Sequence, residues 1–151
     1  MSKVSKTSYV SQTKMVIVVT GSRYGFESKQ VIDELNFIVD HIGKHNIAEI
    51  VVGDAIGVDA YARAFARVNE IELNVFKGDW SLYGLEAGMI RNKSMFDYAV
   101  ENYNNVFVLA FQANGSKGTQ NMINMARGYT GDVNVNCNVY TPNISDKVSF
   151  D

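Results

Sequence analysis

Four short stretches of this chain gather the residue types that hold charged ligands. They are "TGSR" (20–23), "GDAIGVDA" (53–60), "GDWSLYGLEAGMIRN" (78–92) and "ANGSKGTQ" (113–120). In each, glycine stands among hydroxyl, carboxylate, guanidinium or aromatic side chains. Glycine turns the chain tightly and lets backbone N–H groups approach an anion. In the first stretch Gly21 makes the turn, Ser22 offers a hydroxyl, and Arg23 offers a planar fork suited to phosphate or carboxylate. Taken alone it is a strand-to-helix turn with a surface arginine, and it is not the G-x-G-x-x-G dinucleotide fingerprint.

The second stretch is denser. Gly53, Asp54, Ala55 and Gly57 form a compact turn at a helix start, and Asp59 follows directly. Either aspartate could cap backbone donors there. Asp59 could instead accept from a ribose hydroxyl or a polar base edge, and the two roles weigh evenly. In the third stretch Trp80, the only tryptophan, suits a partly buried wall that a base could stack on. Arg91 and Asn92 come just inside the next helix. A cation near a helix N-terminus opposes the dipole, so stability alone does not place Arg91 there, and an anion clamp is the simplest use for it. The fourth stretch looks like a phosphate cradle. Gly115 and Gly118 supply backbone freedom, Ser116 and Thr119 supply hydroxyls, and a helix follows. It lacks the G-x-x-x-x-G-K-[ST] pattern of nucleotide triphosphatases, and its plain reading is a glycine-rich connection with a Thr cap. No acidic cluster has convincing metal-ligand spacing, so no metal is expected. His41 and His45, four apart, share a face at a solvated helix end.

These stretches need a scaffold, and the intervening sequence supplies one. "MVIVVT" (15–20) is a β-branched apolar run of the kind that makes a buried parallel strand. "AEIVVG" (48–53), "ELNVFK" (72–77), "NVFVLAF" (105–111) and "VNVNCNVY" (133–140) are the further strands. Between them run helical patterns. The first spans 28–45, with Val31, Leu35, Ile38, Val39 and Ile42 at helical spacing. The second spans 58–69, the third carries Ile90 to Val100, and the fourth carries Met122 to Ala126; residues 78–88 are expected as a loop. Strands alternating with single helices predict an α/β fold: a doubly wound, Rossmann-like, mainly parallel sheet with helices on both faces. Ligands bind such sheets at the carboxyl ends of the strands, where the strand order reverses. All four stretches fall at strand ends. The expected layout is an arm (1–14), one domain (15–141) and a tail (142–151).

The composition excludes several classes. With 14 basic and 16 acidic side chains the net charge is −2, which argues against a nucleic-acid partner. No apolar run spans a membrane and no signal-peptide pattern opens the chain. The single cysteine, Cys137, allows no internal disulfide and sits in an apolar alternation, as a packed thiol would. A cytoplasmic setting fits.

In this order and spacing, "VTGSR", "GDAIGVDA", "DW…G…AGMIRNKSM" and "GSKGTQNM" resemble the SLOG superfamily, nearest its YspA-like branch, over about residues 15 to 140. The resemblance implies a Rossmann-like fold, nucleotide or nucleotide-derived ligands and, in some relatives, sensor roles in signalling and defence. It also implies a homo-oligomer. More distantly the chain is similar to DprA-type domains and to the LOG phosphoribohydrolases, which cleave the N-glycosidic bond of nucleoside monophosphates. LOG proteins carry an arginine with a methionine four residues on, matched by Arg91 and Met95. They also carry a proline-glycine-glycine-x-glycine-threonine turn with a glutamate three residues beyond it. Gly115, Gly118 and Thr119 match, but the proline is absent, Ser116 replaces a glycine, and Met122 stands at the glutamate. A methionine moves no proton. The YspA-like aspartate after the first turn is also missing, with Phe26 and Glu27 there instead.

The resulting expectation is a nucleotide-binding sensor or sequestering protein without cofactor. Phosphate would lie on the turns at 21–23 and 115–119, held by Arg23 or Arg91. Ribose or base would meet Asp59, Asn92 and Trp80. One alternative is a nucleotide hydrolase in which Arg91 acts with Asp59 or Glu86 as acid/base group. Another is an oligomeric interaction domain with a vestigial pocket.

Overall fold

A computed structural model of the chain describes residues 14–142. The expected arm and tail, Lys14 and Pro142 apart, lie outside the described residues. Five strands alternate with helices: β1 (Met15–Gly21), α1 (Ser28–Ile42), β2 (Ile47–Gly53), α2 (Val58–Val68) and β3 (Leu73–Phe76). A short α3 (Trp80–Tyr83) precedes α4 (Ala87–Asn102), β4 (Asn105–Phe111), α5 (Lys117–Arg127) and β5 (Asn134–Tyr140). The sheet order is β3-β2-β1-β4-β5, and every pairing is parallel. This is the Rossmann-like doubly wound fold expected from the strand-helix alternation.

The apolar run of β1 explains why it sits in the centre. Successive side chains of a strand point to opposite faces, so a strand covered on both sides must be apolar throughout. Ile17 and Val19 pack with Val31 and Leu35 of α1 and with Ala62 and Phe65 of α2. Val16 and Val18 pack on the other face with Met95, Phe96 and Ala99 of α4 and with Met122 and Ala126 of α5. Both cores are close-packed around β1, and its register with β4 (Val16↔Val106 through Gly21↔Phe111) brings the two strand ends level. On edge strand β5 the alternation leaves Asn134, Asn136 and Asn138 exposed, while Cys137 is half-buried against the second core. Burial pushes the Cys137 thiol up, the opposite of an activated nucleophile.

Two local expectations are corrected. The first helix stops at Ile42, because Gly43 takes φ 92° and its N–H closes on Val39. His45 therefore lies beyond the helix in a 3-10 turn, and the two histidines share no helix face; His41 stacks on Phe37. Residues 80–86, expected as loop, form α3 and a 3-10 turn. The cause is Asp79, whose carboxylate accepts from the Leu82 N–H and caps the turn.

Candidate functional site

The chain leaves β1 for β2 on one side, reaches β3, and then crosses back to place β4 on the other side of β1. The strand order thus reverses between β1 and β4, and a crevice opens at their carboxyl ends. Ser22 sits at this point and is buried. Its hydroxyl accepts from the Ala113 N–H at 2.8 Å and donates to the Ala113 carbonyl at 3.3 Å. It therefore stitches the loop after β1 to the loop after β4, a structural use that its sequence context did not reveal. Removing it orphans a buried N–H. Ser22→Ala should lower stability by about 1–3 kcal/mol, checked by urea unfolding.

The loop after β2 lies directly on the loop after β1. Val58 N–H bonds to Ser22 O, and a Cβ at Gly57 would fall 2.2 Å from Arg23 O. A Cβ at Gly21 would strike Val58 in the same way, at 2.4 Å. Glycine is required at these contacts because two backbones, or a backbone and a helix start, pass without room for a methyl group.

The four loops enclose a cleft of about 660 Å³, within the range of small-molecule sites. From the first loop come Gly21, Ser22 and Arg23; from the second, only Ala55. The third gives Trp80, Glu86, Arg91 and Asn92, and the fourth Ser116, Gly118 and Thr119. Gly53, Asp54, Gly57, Asp59 and Gly115, expected at the ligand, do not border it. The cleft also takes in Tyr24, Met89, Asn114 and Lys117, which residue-by-residue reading passed over. Lys117 was legible in principle, lying inside "GSKGT".

Asp59 lies beneath the cleft. It is 2% exposed, and its carboxylate accepts from the Ala55 N–H at 3.2 Å and stands 4.0 Å from Arg91 Nη1. It does not cap α2, whose N-cap is Gly57 with no side-chain bond. Burial pushes its pKa up to about 6, against the opposing pull of Arg91, the Ala55 N–H and Arg63. Arg63 was missed by the sequence reading. Its Nη1 donates to the carbonyls of Gly53 and Ala55, pinning the loop from one helical turn beyond Asp59. The i,i+4 spacing of Asp59 and Arg63 was the available signal.

Arg91 is not a bare anion clamp. Its Nη1 pairs with Asp54 at 2.6 Å, and Nε and Nη2 donate to Asn92 Oδ1 at 3.4 and 3.3 Å. Its side chain is 9% exposed. The space it fills exists because residue 53 is glycine: a Cβ there would lie 2.6 Å from Asp59 Oδ2 and 2.7 Å from Arg91 Cζ. Asp54 also accepts from Gly78 N–H and Trp80 Nε1. Burial raises the Asp54 pKa, but these donors and the Arg91 charge outweigh it and hold the carboxyl below its ordinary range. Trp80 forms a half-exposed wall, with Arg23 5.2 Å and Arg91 5.9 Å from its ring.

The fourth loop caps α5 with Ser116 rather than Thr119: Ser116 Oγ accepts from the Thr119 N–H and contacts the Thr119 hydroxyl at 3.1 Å. Asn92 Nδ2 donates to Gly118 O, tying α4 to this loop. Met122, at the position where a glutamate would be needed for LOG-type chemistry, is fully buried in the core.

Residues 15–83 match the model of a family described as the YspA, cpYpsA-related SLOG family. Over this span the chain is similar to the YspA-related SLOG family. The matched span carries the first two loops and Trp80, while Arg91 and the loop at 113–119 lie beyond it. No curated protein and no solved structure matches this chain. No helix among the described residues is long and apolar enough to cross a membrane. Among those residues no three His, Cys, Asp or Glu side chains converge as a metal site would require.

Proposed function

We propose that the cleft binds a nucleotide or a nucleotide-derived small molecule, and that the protein senses or sequesters it. One observation carries the reading. At the strand-order reversal, a helix N-terminus and two cations without carboxylate partners among the described residues, Arg23 and Lys117, border the same cleft as an indole wall. Helix N–H groups and cations suit a phosphate, and the indole suits a base. The phosphate belongs toward Ser116–Thr119 and the sugar and base toward Trp80 and Glu86. The similarity of residues 15–83 to the YspA-related SLOG family supports a nucleotide-related role.

A hydrolase reading has one observation in its favour: Asp59, at about pKa 6, stands near Arg91, and an acid or base poised near operating pH suits proton transfer. Asp59 does not reach the cleft, however, and Met122 offers no proton. Glu86 is the carboxylate bordering the cleft. The binding reading therefore stands ahead.

Calorimetry against nucleoside monophosphates, ADP-ribose and cyclic nucleotides tests it. At least one should bind, and Lys117→Ala should weaken that affinity about tenfold, the scale of one lost charge-assisted contact. Lys117 is exposed, so its loss leaves the fold intact. No heat with any of these compounds defeats the proposal. Release of free base or phosphate, abolished by Glu86→Gln, would favour the hydrolase.

A further inference from the structure

Asp54 is the most connected carboxylate of the cleft region, yet it does not border the cleft. One oxygen takes Arg91 Nη1 at 2.6 Å; the other takes Gly78 N–H at 3.3 Å and Trp80 Nε1 at 3.4 Å. The donors come from two different elements, the segment entering α3 and the second turn of α4. Nothing else among the described residues bonds the Trp80 side-chain nitrogen, and the guanidinium of Arg91 lies 5.9 Å from the same ring. Arg91 in turn donates to Asn92, and Asn92 donates to Gly118 O at 3.0 Å. A continuous path of polar contacts thus runs from the Gly118 loop through Asn92, Arg91 and Asp54 to Trp80, joining opposite walls of the cleft.

We propose that Asp54 is a positioning residue: its carboxylate fixes Trp80 and Arg91 relative to each other and so sets the separation of the indole wall from the Gly118 loop. Three donors take three of the roughly four acceptor sites of this carboxylate, so most of its bonding capacity goes to holding Trp80 and Arg91. A charged acceptor also binds its donors more tightly than a neutral one. Asparagine at this position keeps the shape but offers one acceptor oxygen where two are used. The segment holding Trp80 then swings free, because the exposed Leu82 and Tyr83 contribute little burial to hold it. Its bearing on ligand capture rests on the nucleotide reading above; the positioning itself does not.

Trp80 is the only tryptophan of the full chain, so its emission reports this wall alone. The test is acrylamide quenching of Trp80 fluorescence in the full-length, ligand-free protein, compared with Asp54→Asn and Arg91→Lys, with circular dichroism confirming the fold. Each variant should raise the quenching constant at least about twofold as the wall opens to solvent. Where Asp54→Asn does not fold, Arg91→Lys carries the measurement, since it retains the charge and loses the fork. Quenching unchanged in a folded variant overturns the proposal. Because no ligand is present, that outcome is separate from the calorimetric test of nucleotide binding.

Discussion

Alanine at position 57 should lower the melting temperature by about 10 °C, corresponding to a loss of about 3 kcal/mol for a domain of this size. Two effects add. Gly57 takes φ 75° and ψ −128°, a conformation open to glycine and strained for any residue with a Cβ. The new methyl would also lie 2.2 Å from Arg23 O and 2.8 Å from Ser22 O. These are backbone atoms of a loop that cannot retreat, because Ser22 is bonded to Ala113 and its own N–H to Phe111 O. Relief therefore requires the loops after β1 and β2 to separate, which opens the cleft as well. Gly84 and Gly115 supply the contrast. Their φ values are also positive, at 58° and 64°, but a Cβ at either meets nothing within 4 Å. Alanine at those positions should cost about 1 kcal/mol, from the backbone alone. Scanning calorimetry of the variants checks this order, and a Gly57→Ala protein melting within the range of the other two would contradict it.

What the sequence displayed, and what it withheld, divides along the range of the interactions involved. The strands were legible because β-branched runs such as Val16–Val19 have one stable destination, a sheet covered on both faces. Once the strands are placed, parallel topology dictates that the four glycine-bearing loops meet at one edge. That is why most of the expected residues do border one cleft. The destination of individual side chains was not legible. Ser22 looked like a ligand donor, but its partner is Ala113, 91 positions away, brought there only by the pairing of β1 with β4. Asp59, opening a helix beside the turn, suited a helix cap and a ribose contact equally. It points under the loop instead, because Gly53 leaves a space that Arg91 enters from α4. Arg91 looked like a cation awaiting an anion, and its anion is Asp54, 37 residues earlier. Each miss concerns a polar group whose partner is set by packing between elements, which neither periodicity nor propensity encodes.

Asp59→Asn should stabilise the protein at neutral pH. Burial raises the Asp59 pKa from 3.8 to about 6, so the folded state holds this proton more tightly than the unfolded chain does. Below about pH 4 the group is protonated in both states and contributes nothing. As pH rises from about 4 to 6 the folded protein must give up the proton against the cost of burial, and stability falls. Above about pH 6 the penalty is complete, and a shift of about two units corresponds to about 3 kcal/mol. The groups that face the carboxylate are Arg91, Arg63 and Asp54, together with the Ala55 N–H. The two cations and the N–H favour ionisation, and Asp54 opposes it; desolvation exceeds the balance. Asparagine removes the burial cost of the charge while its side-chain oxygen can still accept from Ala55. Arg91 keeps its closer partner, Asp54, at 2.6 Å, so no buried cation is abandoned. Urea unfolding of both proteins between pH 4 and 8 should show a wild-type stability that declines through pH 5 and a flatter profile for the variant. The two should be close at pH 4, with the variant ahead at pH 7.5. A variant that is less stable at pH 7.5 would mean that the ion pair with Arg91 outweighs desolvation. If the variant is more stable and also binds nucleotide more weakly, the buried charge serves the cleft at the expense of the fold. Acting from below through Arg91, Asp59 would then govern the ligand's surroundings without touching it.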